Sequence, residues 1–492
     1  MMRRMVIAGG GTAGWMAAAA LARYLPHGWH ITLVESDAIG TVGVGEATIP
    51  QIALFNAGLG IDEADFLKAT QGSFKLGIAF DGWGAPGESY LHAFGSVGRP
   101  LGLMPFHQYW LRALAAGKAG PLGRYVFNDV AARAGRFGRS GRSEGAVPDL
   151  VTAYHFDAGL YAAYLRKYAE ARGATRVEGI IDAVERDGES GDITALTLSG
   201  ERRVEGDFFI DCTGFGGRLI AQELGVGFDD WSHWLPCDRA WALPCARVDP
   251  VIPYTRATAR EAGWQWRIPL QHRTGNGHVF CSSAISEDEA AAVLLANLDG
   301  TPESDPRLLR FTTGKRKAFW AHNCVALGLA SGFMEPLESS SIHLIQAGIA
   351  RLLQFLPQGQ AADADRDAFN RLSATEFERI RDFLILHYHA NGRLGEPFWD
   401  QCRAMALPDT LTEKLALFRS QGQVLRDADE LFTEPGWVQV LIGQHIMPKH
   451  WHPLAEAISE KDLADFMQLV ESSYARAAAA LPEHGHWLAK AA

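Results

Sequence analysis

The chain contains 492 residues, of which 47% are hydrophobic and 21% charged, so it holds enough apolar material for a large core and is not a disordered protein. Its 46 Lys and Arg against 57 Asp and Glu give a net charge of −11, which argues against a non-specific nucleic-acid binder. No apolar run reaches the roughly 18 residues of a membrane span. The six cysteines form no C-x-x-C pair, which predicts reduced thiols in a cytoplasmic protein without a zinc site.

The N-terminal residues have the pattern of a βαβ unit. Residues 4–8 predict a short buried strand, and residues 13–25 predict an Ala-rich helix that Pro26 ends. Residues 30–35 predict a second strand. A strand, a glycine turn, a helix and a strand within about 30 residues are typical of the start of a nucleotide-binding domain.

The glycine turn between strand and helix fits G-x-G-x-x-G in the context that a dinucleotide needs. Gly9 permits the tight turn, Gly11 lets the backbone reach a pyrophosphate at the positive helix end, and Gly14 allows close packing of helix and strand. Glu35 ends the second strand, where a carboxylate binds a ribose hydroxyl. This arrangement favours FAD or NAD over NADP.

Later segments alternate between strand and helix patterns. The predictions are a helix over 154–172, strands over 176–181, 193–198 and 208–212, a strand-rich region over 240–285, a helix over 341–356 and a mainly helical remainder from about 365. Phe208–Gly214, an apolar strand ending in Asp, Cys, Thr and Gly, fits the strand that closes many flavoprotein domains, although a plain buried strand and turn explains it too. No second G-x-G-x-x-G follows, which indicates that electrons for a bound FAD come from a separate reductase.

Four blocks of sequence resemble the flavin-dependent tryptophan-halogenase family, and the resemblance extends from Gly9 to about Trp451. The blocks are Gly9–Trp15, Gly43–Pro50, the W-x-W-x-I-P motif at Trp264–Pro269, and Asn323–Ser340. The resemblance implies an α/β fold with a flavin-monooxygenase-like, GR2-type Rossmann FAD-binding domain. The implied boundaries are 1–90, 150–235 and 305–360 for the discontinuous FAD-binding domain, 91–149 and 236–304 for β-rich substrate-region insertions, and 361–492 for a mainly helical C-terminal part.

The resemblance also assigns site residues by motif. Lys75 matches the family's active-site lysine and Glu338 its catalytic glutamate. The FAD-binding positions are Gly9, Gly11, Ala13, Gly14, Glu35, Val44, Ala47, Ile181, Leu329 and Ile342. The backbone amides of Ser340 and Ser341 match the halide site, and the positions that face the substrate ring are His92, Phe94 and Phe432. The motif residues that separate halogenases from monooxygenases are Trp264, Trp266, Ile268 and Pro269.

These assignments imply a two-component enzyme in which FADH2, O2 and a chloride or bromide ion give hypohalous acid. Lys75 and Glu338 then direct this oxidant to electrophilic halogenation of a small aromatic substrate. A separate NAD(P)H-dependent flavin reductase is the implied partner, a homodimer is a family-level expectation, and neither nucleic acid nor a membrane is expected. The segment 431–437 lacks the tyrosine and glutamate clamp of free-tryptophan enzymes, which favours indole or a larger indolic or phenolic compound.

Simpler readings of the same residues stay open. Without the resemblance, Lys75 reads as a surface lysine, Glu338 as a helix N-terminal carboxylate, and the two tryptophans of the motif as one face of a core strand. The alternative enzyme is a flavin-dependent aromatic monooxygenase that hydroxylates its substrate, and the non-enzymatic alternative is a flavin-binding protein without turnover. The two H-x-H pairs at 387–389 and 450–452 lie in a predicted helical region, where residues i and i+2 point apart, so no metal is expected.

Overall fold

A computed structural model describes residues 3–40, 45–139, 147–357 and 359–491. The chain divides into two compact units, each assembled from three separate segments. The first unit comprises Met1–Gly72, Phe156–Ser232 and Arg310–Glu378, and the second comprises Ser73–His155, His233–Leu309 and Arg379–Ala492.

Twenty-two strands lie in the described part of the chain, most of them three to eight residues long. They are β1 (Arg3–Ala8), β2 (Trp29–Glu35), β3 (Gly45–Ala47), β4 (Ser73–Lys75), β5 (Gly77–Asp81), β6 (Ser89–Ala93), β7 (Ala153–Asp157), β8 (Thr175–Glu178), β9 (Ile181–Arg186), β10 (Ile193–Leu198), β11 (Arg202–Glu205), β12 (Phe208–Asp211), β13 (Phe228–Asp230), β14 (Arg239–Ala246), β15 (Thr255–Arg260), β16 (Gly263–Pro269), β17 (Arg273–Phe280), β18 (Arg307–Arg310), β19 (Gly314–Arg316), β20 (Trp320–Ala321), β21 (Cys324–Ala326) and β22 (Gly332–Phe333).

Fourteen α-helices lie in the same described ranges. They are α1 (Thr12–Tyr24), α2 (Gln51–Leu59), α3 (Glu63–Thr70), α4 (Phe106–Ala115), α5 (Phe127–Arg133), α6 (Ala158–Glu170), α7 (Glu287–Ala296), α8 (Ser341–Gln354), α9 (Asp363–His389), α10 (Pro397–Ala404), α11 (Asp409–Gln421), α12 (Glu434–Gly443), α13 (Glu460–Ala480) and α14 (His484–Ala491). No helix in the described residues is both long enough and apolar enough to cross a membrane.

The first unit is built on a six-stranded sheet in the order β20-β21-β12-β1-β2-β8. The strands from β21 to β8 run parallel, and β20 is antiparallel to β21. The buried residues of β1, β2 and β12 are mostly apolar, as expected for a parallel sheet covered on both faces. Their carboxyl ends meet at one edge of the sheet, and the chain segments that follow them carry the residues described below.

The second unit contains a seven-stranded sheet in the order β18-β14-β17-β16-β15-β5-β6. Strand β5 runs parallel to β15, whereas β14 with β17, β15 with β16, and β16 with β17 form antiparallel pairs. A cluster of buried aromatic rings forms its core around Trp83, which lies 5.1 Å from Trp399, 5.5 Å from Tyr388 and 6.4 Å from Trp264 between ring centroids. The C-terminal segment adds helices α10 to α14.

Two predicted elements differ from the structure. The helix predicted over 154–172 starts at Ala158, because Ala153–Asp157 pairs as strand β7 and the Asp157 carboxylate caps the helix by accepting from the Leu160 N–H. The strand predicted over 176–181 is two strands, because Gly179 adopts φ +159° and its N–H donates to the carbonyl of Glu35.

The compact units also divide the chain at places other than the predicted domain boundaries. The boundary predicted at residue 90 falls inside the second unit, because β5 and β6 pair into its large sheet. The helical C-terminal part predicted from residue 361 begins just before helix α9, which belongs to the first unit as far as Glu378. The assignment of these segments to separate domains stays a prediction.

Candidate active site

The turn between β1 and α1 can receive a dinucleotide pyrophosphate. Gly9 adopts φ +104°, and a Cβ there would lie 2.3 Å from the Cys212 carbonyl oxygen. A Cβ at Gly14 would lie 1.9 Å from the Gly9 carbonyl oxygen, so both positions require glycine. Gly11 is different, because a Cβ there would meet no atom within 4 Å, and no side chain caps the helix that follows it. Open space beside an uncapped helix N-terminus suits an anionic diphosphate.

Glu35 lies beside this turn at the end of β2. Its carboxylate accepts from Arg176 Nε at 2.5 Å and from Trp15 Nε1 at 3.4 Å. A Cβ at Gly10 would lie 1.5 Å from Glu35 Oε2, so the carboxylate sits directly over the glycine turn. The position agrees with the one that a ribose-binding carboxylate needs, and the two partners fix its orientation.

Asp211, at the carboxyl end of β12, organises the loop next to the glycine turn. Its buried carboxylate accepts four hydrogen bonds, from the backbone N–H and Oγ1 of Thr213 and from the backbone N–H groups of Leu219 and Ile220, at 2.6–2.9 Å. The sequence marked the segment as a strand followed by a turn but did not identify this aspartate as the organising group. The signal was the Asp-x-Thr-Gly spacing directly after an apolar strand.

A second glycine turn follows β21 and reaches helix α1. Gly328 adopts φ +62°, and a Cβ there would lie 2.8 Å from the Cβ of Ala13, so the turn lies against the first residues of the helix. The neighbouring Leu329 is half-buried, and Ile342 on α8 is buried. The turn that carries the predicted flavin position Leu329 therefore lies against Ala13, a second predicted flavin position.

The remaining predicted flavin positions are more scattered. Ala47 is buried in β3, and desolvation raises the pKa of its neighbour Glu46 to about 7. Ile181 opens β9 and packs against the hydrophobic core formed by β1, β10 and β12. Val44 lies outside the described residues.

Glu338, Ser340 and Ser341 lie where the chain enters helix α8. A short 3-10 turn, Pro336–Glu338, is followed by Ser339 in the left-handed conformation at φ +58°. Glu338 and Ser340 are buried, and no side chain caps the N-terminus of the 14-residue helix at Ser341. The first N–H groups of α8 are thus left to bind another acceptor, which an anion would provide.

In the second unit, Lys75 ends strand β4 and is fully buried. Its Nζ lies 5.4 Å from the centroid of the Phe94 ring, so the structure brings together the predicted catalytic lysine and one predicted substrate residue. The surface-lysine reading is wrong, because β4 is buried along its whole length.

His92 and Phe432 belong to an aromatic group that the sequence identified only in part. Their ring centroids are 6.2 Å apart, and Phe432 is stacked on Phe383 at 3.9 Å. The ring of Trp437 lies 4.7 Å from that of Phe383. Gln439 on α12 fixes this group to the sheet edge, because its amide accepts from the N–H of Ala93 and donates to its carbonyl, both at 3.1 Å.

The W-x-W-x-I-P motif forms the buried strand β16. Trp264 and Trp266 lie on one face with ring centroids 6.1 Å apart, and Trp266 covers Gly277 on the next strand, where a Cβ would lie 2.0 Å from the ring. The alternating residues Gln265 and Arg267 both donate to the carbonyl of Asn297 on the other face. Ile268 is buried and Pro269 ends the strand.

Within the residues that the structure describes, no group of three or more His, Cys, Asp or Glu side chains could hold a metal ion. His387 of the first H-x-H pair is buried in α9, where its Nδ1 bonds to the carbonyl of Phe383. The six cysteines are buried free thiols.

The comparisons with known proteins agree with the family expected from the sequence motifs. The tryptophan halogenase family profile matches residues 4–460. The flavin-dependent halogenase Xcc4156 of Xanthomonas campestris is 49% identical, with a TM-score of 0.96 over 100% of this chain and 98% of that chain. The flavin-dependent halogenase BrvH of Brevundimonas sp. BAL3 is 44% identical, with a TM-score of 0.96 over 100% and 99%.

Among curated relatives, 7-chloro-L-tryptophan 6-halogenase KtzR of Kutzneria sp. (strain 744) is 35% identical over 444 residues, which are 85% of each chain. These matches confirm the fold class, and halogenases of this kind generally use a flavin and a separate flavin reductase. The chain belongs to the tryptophan halogenase family and is a flavin-dependent halogenase.

Proposed function

We propose that the flavin is FAD, that it binds to the first unit, and that a separate NAD(P)H-dependent reductase supplies it as FADH2. The open space at Gly11, the uncapped start of α1 and the fixed carboxylate of Glu35 support a dinucleotide with a free ribose hydroxyl. The flavin, when bound, supplies the activation of O2 that turns a halide ion into hypohalous acid. The side chains of this chain then bind that oxidant and direct it.

We propose that the backbone N–H groups at Ser340 and Ser341 bind chloride or bromide. The helix that starts there has 14 residues and no side-chain cap, so its dipole and its unpaired donors favour a small anion. The Thr-Gly pair that is common in free-tryptophan enzymes is replaced here by two serines, yet the donors belong to the backbone and are kept. Halide binding at the start of α8 is the feature on which a halogenase, as opposed to a hydroxylase, depends.

For the chemical step we propose that Lys75 and Glu338 act on the oxidant and on the substrate proton. The Lys75 amine donates a hydrogen bond to the oxygen of hypohalous acid or accepts the halogen as a haloamine. As the aromatic carbon bonds to the halogen, the bond between oxygen and halogen breaks, and hydroxide takes a proton from Lys75 and leaves as water. In the haloamine route water leaves when the nitrogen takes the halogen, and the bond between nitrogen and halogen then breaks as the nitrogen regains its proton. Glu338 takes the proton from the arenium carbon, which restores the aromatic ring. Both side chains are buried, Lys75 in the second unit and Glu338 in the first.

We propose that the substrate is indole or a related electron-rich arene and not free tryptophan. The segment 431–437 provides the Phe432 ring but no tyrosine pair that would hold an amino-acid group. The two solved structures at 49% and 44% identity are described only as flavin-dependent halogenases, whereas KtzR, which is described as acting on 7-chloro-L-tryptophan, is 35% identical. His92 and Phe432 would face the substrate ring.

Mass spectrometry of a complete reaction tests this proposal. The mixture contains the enzyme, FAD, a flavin reductase with NADH, bromide or chloride, and indole together with tryptophan. We expect the halogen isotope pattern on indole and not on tryptophan. A halogenated tryptophan would refute the substrate assignment, and oxygen insertion without halogen would favour the monooxygenase.

The substitution Lys75→Ala tests the role of the lysine. We expect product formation to fall by at least about a hundredfold while O2 consumption by the reduced flavin continues. Lys68→Ala is the matched control, because Lys68 lies at the exposed end of α3 and should keep both rates. Unchanged product formation in the Lys75 variant would remove the lysine from the mechanism.

A further inference from the structure

Strand β4 carries the proposed catalytic lysine but has little backbone support of its own. It is three residues long, and within the second unit it pairs with β7, where Phe74 lies opposite Tyr154 and Lys75 opposite Ala153. Among the described residues no strand pairs with its other edge. All three residues are fully buried, so side chains packed around β4 help to fix the strand that carries Lys75.

His155 on β7 is one of these side chains. The donor and the acceptor in each of its hydrogen bonds can be assigned in only one way. Ser73 donates its hydroxyl proton to the Pro269 carbonyl at 2.6 Å, so His155 Nδ1 must donate to Ser73 Oγ at 3.0 Å. Burial and the nearby Lys75 hold the pKa of His155 well below its usual range, which keeps the ring neutral. Its Nε2 then accepts from Thr255 Oγ1 at 2.9 Å. The chain of bonds ties β15, β7, β4 and the end of the W-x-W-x-I-P motif together.

His484 holds the opposite edge of β4. It is the first residue of α14, its Nδ1 donates to the Val251 carbonyl at 2.8 Å, and its Nε2 accepts from the backbone N–H of Phe74 at 3.3 Å. Burial lowers the pKa of His484 to about 4, so the ring is neutral and Nε2 is free to accept. The imidazole thus takes the place of a neighbouring strand at the residue before Lys75.

Each histidine bonds to one of the two residues that precede Lys75, and each bond needs one particular tautomer. We propose that His155 and His484 are positioning residues for Lys75, which they hold against Phe94 by fixing strand β4 from both sides. This inference rests on the proposed catalytic role of Lys75. Neither imidazole bonds to substrate or flavin in this role, and each acts through the strand that carries the lysine.

The test measures how well the oxidant is used, as the ratio of halogenated indole formed to free hypobromous acid released, with bromide and reductase-supplied FADH2. Free hypobromous acid is trapped in parallel with monochlorodimedone. A misplaced Lys75 lets the oxidant form but not reach the arene, so the ratio falls and the trapped fraction rises. Loss of folded enzyme lowers both rates together and leaves the ratio unchanged, so the ratio separates positioning from stability.

We expect His484→Leu and His155→Leu each to lower the ratio by at least about tenfold, since small displacements of a reacting group are costly. His484→Gln and His155→Gln should recover it to within about threefold, because an amide both donates and accepts. His278→Leu is the matched control. His278 is equally buried, with its pKa lowered to about 4, but it bonds to the Ala290 carbonyl, and its variant should keep the ratio.

Ser73→Ala provides a milder variant should the leucine variants not fold, since it removes only the link between His155 and Pro269. A wild-type ratio in this variant would overturn the role of His155. A wild-type ratio in His484→Leu, with loss of product in Lys75→Ala, would overturn the role of His484 and leave the function of Lys75 intact. A wild-type ratio in Lys75→Ala would refute the proposed function of the lysine and, with it, the positioning role.

Discussion

Two glycines of the same turn serve different purposes, and the structure separates them. Gly9 needs its positive φ and the absence of a Cβ for the fold itself, whereas Gly11 borders open space and has an ordinary φ of −70°. The sequence motif treats the two positions alike. Only the atoms around each glycine show that Gly9 is needed for packing in the fold, whereas Gly11 leaves space for a ligand.

This difference predicts opposite outcomes for two alanine substitutions. Gly9→Ala should lower the free energy of unfolding of the flavin-free chain by at least about 2 kcal/mol, because the new Cβ meets the Cys212 carbonyl in a strained conformation. Gly11→Ala should leave the melting temperature of the flavin-free chain unchanged and weaken FAD binding by at least about tenfold. Calorimetry and flavin titration measure the two effects. Equal effects of both substitutions on stability would contradict this assignment.

Asp211 shows what the sequence could not predict at the residue scale. Its four donors come from Thr213 and from a turn eight and nine residues further on, so its role depends on how the loop folds back. We expect Asp211→Asn to cost roughly 2–4 kcal/mol of unfolding free energy, because one oxygen that accepts backbone N–H bonds becomes an amino group. Urea denaturation of the flavin-free chain measures this loss. The control is Asp207→Asn, at a partly exposed site bonded mainly to Arg4, which should cost much less.

At the scale of elements, the start of α8 is where an anion and a capping side chain would compete for the same backbone N–H donors. Ser341 is the first helical residue and is half-buried, and the helix has no cap of its own. We expect Ser341→Asp to raise the halide KM by at least about tenfold, because its carboxylate takes the donors and repels the halide. Ser341→Asn has the same size without the charge and should change the halide KM much less. A halide KM that is the same in both variants would place the halide elsewhere.

The elements nearest the N-terminus were predictable because their signals are local. Strand β1, helix α1 and strand β2 each lie within one or two residues of the predicted bounds, since glycine spacing and apolar runs specify them. Strand β7 was read as part of a helix, because its end is set by the Asp157 cap and its pairing by a strand about 80 residues earlier. His155 and His484 were not identified for the same reason, since each bonds to β4 from a distant segment.

At the scale of the whole molecule, the predicted site residues separate by unit. The described flavin and halide positions, with Glu338, belong to the first unit, whereas Lys75, the W-x-W-x-I-P motif and the predicted substrate residues belong to the second. Sequence motifs named the residues of both sets but not this division, because each unit is assembled from three segments that alternate along the chain. The second unit also holds a set of buried histidines, which gives the molecule a defined response to acid.

Four buried histidines of the second unit are neutral in the folded chain. Burial lowers the pKa of three of them to about 4 and holds the fourth well below its usual range; they are His107, His278, His484 and His155. On unfolding each returns to its ordinary pKa of 6.5 and takes up a proton below that pH. Two carboxyl groups act in the opposite direction, because desolvation raises the pKa of Asp129 to about 6 and of Glu46 to about 7.

The histidines outnumber these carboxyls, so near pH 5 the unfolded chain binds roughly two protons more than the folded chain. Stability conferred by a depressed histidine pKa is complete above pH 6.5 and is lost as the pH falls towards 4. We therefore expect the melting temperature of the flavin-free enzyme to fall steadily from pH 6.5 to pH 4.5 in scanning calorimetry. His484→Gln removes one of the protons that the unfolded chain binds in excess, so the melting temperature should depend less steeply on pH. Glu46→Gln removes a group that acts in the opposite direction, so the melting temperature should depend more steeply on pH. A melting temperature that rises on acidification would show that the imidazoles are charged in the folded enzyme, and the tautomers assigned around β4 would then be wrong.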